Sequence, residues 1–382
     1  MRPTSYIELS ESALEANISF IKNMLGDTRL SSVVKGNAYG HGIPIFCSML
    51  YKTGVRHFSV FSANEAQEIL ASIPNDISVM VMGFLDDDQI EWAIQKEVEF
   101  FLFEEERLEK AIELSKKAGK AARVHIELET GMNRTGFDLK NLKKLFQYLE
   151  ENKTHLHISG VCSHLAGAES IANYKRLVQQ YDRFKRVKNH LSQLDWLDTT
   201  YHLACSAASI QYPKTRMDLA RIGILQYGFF PSNEVLVQYL TKHKTQENPL
   251  KRVISWKTRV MAVKEVKAGE FIGYGTSFFT NIKTKVAVLP VGYAQGFARS
   301  LSNQGKVLIR GKRFDVVGTV NMNMTIVDIT ECDTIEVGEE VILIGKQGDL
   351  EISVSSFSNF SDMVNYELLT RLPENITRTV VK

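Results

Sequence analysis

Residues able to hold an anionic ligand stand where the apolar runs of this chain end. Lys35 closes the run at 30–35 and is followed by Gly36, Asn37, Ala38, Tyr39, Gly40, His41 and Gly42. A lysine ending a buried strand is either a snorkelling side chain or an amine held for chemistry. The glycines after it let backbone approach a ligand closely. The run at 124–129 delivers Glu127 and Glu129, then Gly131, Met132, Asn133 and Arg134. The run at 158–164 delivers Ser163 and His164, and that at 201–205 carries His202 and Cys205 just ahead of Ser206. The last begins near Arg221 and passes into Gly223 and Ile224. Taken singly, each is more often a satisfied structural residue than a catalyst. Together, a lysine, a serine hydroxyl and a Gly-Ile backbone step near the last strands suit a phosphorylated ligand.

The elements that must position these groups follow from hydrophobic period. Eight short β-branched or aromatic runs fall at 30–35, 57–61, 79–83, 98–103, 124–129, 158–164, 201–205 and 220–226. Stretches of helical spacing separate them, as at 64–72, 86–95, 105–118, 139–150 and 172–191. Eight βα repeats predict an α/β fold with a (β/α)8 TIM-type barrel, whose sites lie at the C-terminal ends of the strands. A doubly wound sheet is the alternative, but no GxGxxG opens its first turn. After the polar stretch 241–249, strand-like runs crowd together at 253–263, 286–289, 306–309, 314–317, 324–327 and 340–344, and 354–370 reads as helical. The expected organisation is a barrel over 1–245 and a smaller mostly-β domain over 246–382, with the N-terminal residues packing against it.

Composition narrows the function. The 382 residues carry 46 Lys+Arg and 44 Asp+Glu, a net +2 that argues against a nucleic-acid partner. With 44% hydrophobic and 24% charged residues the chain is globular. No apolar run reaches the ~18 residues that a membrane span needs. The N-terminus lacks a signal-peptide core, so a cytoplasmic location is expected. Cys47, Cys162, Cys205 and Cys332 form no CxxC pair and read as free thiols. No H-x-H or clustered ligand set points to a metal.

The run 33–42, Val-Val-Lys-Gly-Asn-Ala-Tyr-Gly-His-Gly, closely resembles the cofactor-lysine motif of alanine racemases. The resemblance continues through Gly131-Met132-Asn133-Arg134-Thr135-Gly136, Arg221-Ile222-Gly223-Ile224 and Gly273-Tyr274-Gly275-Thr276. It extends to Pro290-Val291-Gly292-Tyr293-Ala294, Val320-Asn321-Met322 and Asn365-Tyr366-Glu367, and so covers essentially the whole chain. It implies a pyridoxal 5'-phosphate barrel followed by a β domain, interconverting L- and D-alanine and supplying D-alanine for peptidoglycan. It also implies a homodimer with shared active sites and a small amino-acid substrate. Lys35 becomes the cofactor lysine and the base for D-substrate, and Tyr274, from the partner subunit, the base for L-substrate. Arg221 faces the pyridine nitrogen, with His202 behind it and His164 against the ring. Tyr39, Ser206, Tyr366 and the amides of Gly223 and Ile224 hold the phosphate. Arg134 and the Met322 amide meet the substrate carboxylate, and Tyr293 with Tyr366 lines the entrance.

An arginine at the pyridine nitrogen is discriminating, because it is always charged and disfavours protonation there. That suppresses transamination. The chain departs from the family pattern at Glu127, where a lysine, often carbamylated, is usual. It departs again at Asn323, Cys205 and Gln295. Glu127 is then expected to pair with Arg134, directly or through water. The departures leave open a broader racemase acting also on serine. Competing readings are a barrel-type pyridoxal-phosphate decarboxylase and a non-catalytic cofactor-binding protein. The decarboxylase reading needs a Cys-Asp pair near the substrate, for which Cys332-Asp333 is the sole candidate.

Overall fold

The computed structural model describes residues 3–74, 76–191, 199–332, 334–354 and 365–382. It divides into two compact units, one of Ala13–Gly36 and Phe46–Lys251, the other of Met1–Ser12, Asn37–Ile45 and Arg252–Lys382. Strand β1 (Ser5–Ser10) opens the chain in the second of these.

The first unit holds β2 (Arg29–Val33), β3 (His57–Val60), β4 (Ser78–Val81), β5 (Glu99–Leu102) and β6 (Ala122–Glu129). It continues with β7 (Phe137–Asp138), β8 (Leu156–Cys162), β9 (Thr200–His202) and β10 (Leu219–Ile222). Eight of these pair in parallel in the order β10-β2-β3-β4-β5-β6-β8-β9, with the short β7 beside β6. A parallel bridge between Cys205 and Arg221, and the Asp218 N–H donating to the Tyr201 carbonyl at 3.1 Å, bring β9 to β10 and close the ring. The expected (β/α)8 barrel is therefore present. Strands β3 and β5 are buried at every position, as parallel strands covered on both faces must be. The outer helices are amphipathic. Glu105–Ala118 buries Leu108, Ala111, Ile112 and Ser115 on one face and ends at Gly119, whose φ of 63° makes the left-handed cap.

The strands are shorter than the apolar runs that announced them. β2 ends at Val33, β9 at His202 and β10 at Ile222, so Lys35, Cys205 and Gly223 lie past the sheet. After β2 the Val34 N–H still donates to the Ser59 carbonyl at 2.9 Å, and the chain then turns. Gly36, Asn37, Ala38 and Tyr39 have φ of 64°, 53°, 51° and 51°, a left-handed helical turn rather than a simple glycine loop. Each non-glycine residue there costs about 1–2 kcal/mol. Local hydrogen bonds offset part of this: His41 N–H to the Ala38 carbonyl and Gly42 N–H to the Asn37 carbonyl, both 3.0 Å, and Ile43 N–H to Asn37 Oδ1 at 3.1 Å.

The second unit adds β11 (Ile254–Arg259), β12 (Ala262–Val266), β13 (Thr284–Leu289), β14 (Lys306–Ile309) and β15 (Lys312–Asp315). The remaining strands are β16 (Thr325–Asp328), β17 (Glu340–Gln347), β18 (Leu350–Ile352) and β19 (Thr377–Val381). One sheet runs β15-β14-β17-β11-β1-β19 with β18 beside β17; a second runs β12-β13-β16. β1 is antiparallel to β11 and parallel to β19, which ties both chain ends to this unit. Of the stretch read as helical at 354–370, Asn365–Thr370 is a helix, and 355–364 lie outside the described residues. Within this unit Gly40, at φ 77°, sits against that helix: a Cβ there would lie 1.9 Å from the Leu369 carbonyl oxygen. Arg378 holds the Gly40 carbonyl through Nε at 3.1 Å and Nη2 at 2.9 Å. Among the described residues no helix is long and apolar enough to cross a membrane.

Candidate active site

At the C-terminal ends of the barrel strands the structure gathers Lys35, Glu127, Arg134, His164 and Arg221. The position of Lys35 follows from what holds β2. Gln226 receives a hydrogen bond from Ser32 Oγ at 2.6 Å and donates to the Val33 carbonyl at 2.8 Å, to which Tyr227 Oη also donates at 3.0 Å. The next amide, Gly36 N–H, donates to Glu65 Oε1 at 2.6 Å. Burial, then the charge of Arg134, lower the Lys35 pKa; Glu65 pulls it back up, and Arg221 adds to the lowering. Lys35 is thus an amine biased toward its neutral, proton-accepting form.

Arg221 is 5% exposed, and both terminal nitrogens of its guanidinium are engaged. Nη1 donates to His202 Nδ1 and to the His202 carbonyl at 3.2 Å; Nη2 donates to the Ser163 carbonyl at 2.8 Å and approaches His164 Nδ1 at 3.5 Å. Burial and the charges of Arg221, Arg134 and Lys35 push the His164 pKa down to about 3. Burial and Arg221 likewise hold His202 well below the ordinary histidine value. Both imidazoles are neutral, so the permanent positive charge here belongs to the arginines. Nearby, Ser206 Oγ accepts from the Gly223 N–H at 3.0 Å, which joins the turns after β9 and β10. Cys205 contributes backbone, through its bridge to Arg221.

The loop that carries Arg134 is folded around Glu129. Its carboxylate accepts from the amides of Gly131, of Asn133 at 2.7 Å and of Arg134 at 3.2 Å. From the helix Tyr174–Leu191, Arg176 Nε donates to the Gly131 carbonyl at 3.0 Å and Arg183 Nη1 to the Thr130 carbonyl at 2.9 Å. Glu127, expected to pair with Arg134 directly or through water, takes a hydrogen bond from Thr135 and feels the charges of Arg221 and Arg134, with no direct pair to Arg134 among the described residues. Its pKa is raised, chiefly by burial. The direct pair is absent because Glu129 ties the Arg134 backbone to its own side of the loop. Gly136 makes the loop return possible. Its φ is 117°, and a Cβ would lie 2.6 Å from the Glu129 nitrogen. Gly136→Ala therefore meets both a backbone conformation costing of order 1–3 kcal/mol and a clash with main chain. A urea titration is expected to show at least that loss, and an unchanged midpoint would contradict it.

The second unit holds two further groups. Tyr39 and Tyr366 meet edge to face, with ring centroids 6.3 Å apart. Elsewhere, Tyr274, Tyr293, Met322 and Asn323 line one recess of about 400 Å³ together with Arg299. Tyr274 lies between Gly273 and Gly275, at φ 78° and 71°, and is 73% exposed. Gly292 lets two motifs meet: a Cβ on it would lie 2.1 Å from the Asn321 carbonyl oxygen. Tyr293 N–H donates to that carbonyl at 3.0 Å and Ala294 N–H to the Met322 carbonyl at 2.9 Å. Gln295, one of the departures, accepts from the Gly292 N–H at 3.0 Å.

Sequence reasoning missed Glu65, although Ser62-x-x-Glu65 is a readable capping box, with Glu65 Oε2 taking the amides of Phe61 at 2.9 Å and Ser62 at 3.3 Å. It also missed three buried polar residues inside the barrel, His57, Glu99 and His125, whose signal is a charged or imidazole side chain within an otherwise apolar strand. Asp333 of the Cys332-Asp333 pair lies outside the described residues.

Comparison with known proteins identifies the family. The model of the alanine racemase N-terminal domain matches residues 9–231, and that of the C-terminal domain matches residues 253–380. A protein of Halothermothrix orenii named alanine racemase is 33% identical over 99% of this chain and 96% of its own. The alanine racemase of Clostridium difficile superposes with a TM-score of 0.90 at 28% identity, covering 100% of this chain and 96% of that one. That of Bartonella henselae, whose structure carries covalently bound pyridoxal phosphate, does so with a TM-score of 0.85 at 29% identity over 100% of both chains. With both domain models matched in order and relatives aligned end to end, the chain belongs to the alanine racemase family.

Proposed function

We propose that the chain is a homodimeric, pyridoxal 5'-phosphate-dependent racemase that interconverts L- and D-alanine in the cytoplasm, its D-alanine serving peptidoglycan synthesis. The observation that carries this is the Lys35 amine just past the end of β2, its pKa lowered by desolvation and by the charges of Arg134 and Arg221. That surplus of positive charge fits a phosphorylated aldehyde, and the lowered pKa eases the loss of the proton that the amine must give up to react with one.

When bound, the cofactor supplies an electron sink for the charge left at Cα after a proton departs. The chain's residues do the rest. Lys35 Nζ takes and returns the proton on the D face, and Tyr274 Oη does so on the L face. Two bases are needed because a single base returns the proton to the face it came from. Arg221, charged at any working pH, keeps the neighbouring pyridine nitrogen unprotonated through like-charge repulsion. His202 lies behind it, and His164 packs neutral against the ring. Ser206, Tyr39, Tyr366 and the amides of Gly223 and Ile224 hold the phosphate. Arg134 and the Met322 amide take the substrate carboxylate. Glu127 steadies the Arg134 loop through Thr135, and Asn323 and Tyr293 border the entrance. Tyr274, at 73% exposed, and Met322, at 56%, are the groups that a second copy covers and uses. The barrel falls within 1–245 and the β domain takes 246–382 together with Met1–Ser12 and Asn37–Ile45.

The test is incubation of the cofactor-loaded protein with L-alanine in heavy water. Deuterium at Cα together with loss of optical rotation is expected. Release of carbon dioxide, or retention of both hydrogen and rotation, would overturn the reading.

A further inference from the structure

Beneath the mouth of the barrel, a line of hydrogen-bonded polar side chains continues inward from Arg221 and His202 through residues that the proposed reaction does not use. Arg221 Nη1 meets His202 Nδ1, and His202 Nε2 lies 2.8 Å from His125 Nδ1. His125 Nε2 lies 3.1 Å from Glu99 Oε2. The same oxygen is 3.1 Å from His57 Nε2, and His57 Nδ1 is 2.9 Å from Ser31 Oγ, which in turn meets Ser59 Oγ. Arg123 Nη2 donates to the other carboxylate oxygen, Glu99 Oε1, at 3.3 Å. Glu99 is 4% exposed, His57 3%, and His125 and His202 0%.

The donor roles in this line follow from its upper end. Arginine has no acceptor, so Arg221 donates and His202 Nδ1 must be bare. A neutral His202 then carries its proton on Nε2 and donates to His125 Nδ1. His125 in turn carries its proton on Nε2 and donates to Glu99. From the other side His57 Nε2 donates to the same carboxylate, leaving its Nδ1 to accept from Ser31. Every bond in the line points at Glu99. The opposite polarity would set an imidazole N–H against the Arg221 N–H. Burial lowers the pKa of His125 and His202, consistent with two neutral rings. Burial opposes a charge on Glu99, but its hydrogen bonds to His125 and His57 hold it well below the ordinary carboxylate range.

The packing is cut to this line. A Cβ on Gly160 of β8 would lie 2.3 Å from His125 Nδ1 and 3.0 Å from His202 Nε2, so only glycine leaves room for the bond between the rings. Phe101 packs on both imidazoles, with centroids 5.9 Å from each.

We propose that Glu99 is a remote positioning residue for Arg221. Through His125 and His202 it stabilises the tautomer that Arg221 requires as its acceptor, and it supplies the buried negative charge on which the line ends. A ring nitrogen's protonation is set by what the other nitrogen meets, so the constraint passes through two imidazoles without a net proton transfer. The tautomer assignment stands on the geometry alone; its consequence for catalysis rests on the racemase reading.

Nitrogen NMR of the histidine side chains tests it in the cofactor-free protein. His125 and His202 are expected as neutral Nε2–H tautomers at pH 7.5; either ring found charged, or protonated at Nδ1, overturns the proposal. In Glu99→Gln the charge that ends the line is gone and the oxygen shared by His125 and His57 becomes either a neutral carbonyl or an N–H donor, so His202 is expected to lose its pure Nε2–H pattern. Gly160→Ala leaves both ends of the line intact and is expected to produce the same loss. Unchanged His202 ring shifts in either folded variant count against the relay. In the loaded enzyme Glu99→Gln is expected to lower kcat about tenfold, the scale seen for outer partners of metal-bound histidines, with KM nearly constant. Its effect should be non-additive with Arg221→Lys. Additive losses indicate a merely structural role and overturn the proposal. A wild-type protein that shows the tautomers but does not racemise alanine defeats the racemase reading and leaves the tautomer assignment intact.

Discussion

Replacing Tyr274 with phenylalanine leaves D-alanine exchanging its Cα hydrogen with heavy water while L-alanine stops exchanging, and replacing Lys35 with alanine stops both. The two enantiomers have equal free energy, so kcat/KM must fall equally in the two directions whichever base is lost. The asymmetry between the bases therefore shows only in isotope exchange. Loss of a general acid/base typically costs about 10²–10⁴-fold, which sets the expected fall in racemisation for Tyr274→Phe. Lys35→Ala goes further, because it also removes the cofactor's attachment. Retained L-alanine exchange in Tyr274→Phe would assign the L face to another group.

The same pair tests the exposed tyrosine. In a two-fold dimer that shares its sites, a heterodimer of the two variants has one site with both bases intact and one with neither. An equal mixture is half heterodimer, so about a quarter of wild-type activity is expected once subunits have re-associated. No recovery in confirmed heterodimers would mean that each chain supplies its own tyrosine.

Cofactor-free protein is expected to lose several kcal/mol of stability between pH 6.5 and pH 4. His164 and His41 are both held down to about 3, burial being the chief cause in each. His125 and His202 are lowered as well. Unfolded, all four take up protons near pH 6.5. In that window the unfolded chain binds more protons than the folded one, so stability rises with pH and falls on acidification. Each group contributes at most about 1.4 kcal/mol per pH unit. Glu99, held low by its imidazole partners, extends the loss below about pH 4.5, since its stabilisation is present only above the unfolded carboxylate value. Glu127 acts oppositely: its raised pKa favours the folded protein as pH falls through the range above the ordinary carboxylate value. One carboxylate does not offset four imidazoles. Urea midpoints at pH 7.5, 6.0 and 5.0 measure the slope; a flat profile would show that these histidines protonate within the folded state. His41 belongs to the second unit and the other three to the first, so both should become acid-labile.

Much of the barrel was legible because parallel strands covered on both faces must be continuous apolar runs, and eight of them alternating with amphipathic helices admit few architectures. Strand ends were less legible. The apolar run at 30–35 continues past β2, since side-chain hydrophobicity does not record where the backbone leaves its ladder. The left-handed turn was hidden for a related reason: only Gly36 and Gly40 signal positive φ, while Asn37, Ala38 and Tyr39 adopt it under constraint from their surroundings. Glu127 was legible as an unusual anion, whereas its hydrogen bond from Thr135 was not. Thr135 and Arg134 are adjacent in sequence, and only the way Glu129 gathers three amides decides which of them reaches it.

By itself the sequence determined which residue types stand at the ends of which strands, and through them the family and a candidate set of bases and cations. Those are properties of order and spacing along the chain. Tertiary structure alone decided that Glu99, His125, His202 and Arg221 form one line, because closure of the barrel brings together residues 26, 77 and 19 positions apart. It also decided that Gly160 is the space in which two imidazoles meet. A buried carboxylate in a strand looks like a cost to be satisfied locally. Only when the ring closes does it become the end point toward which the hydrogen bonds from Arg221 are polarised.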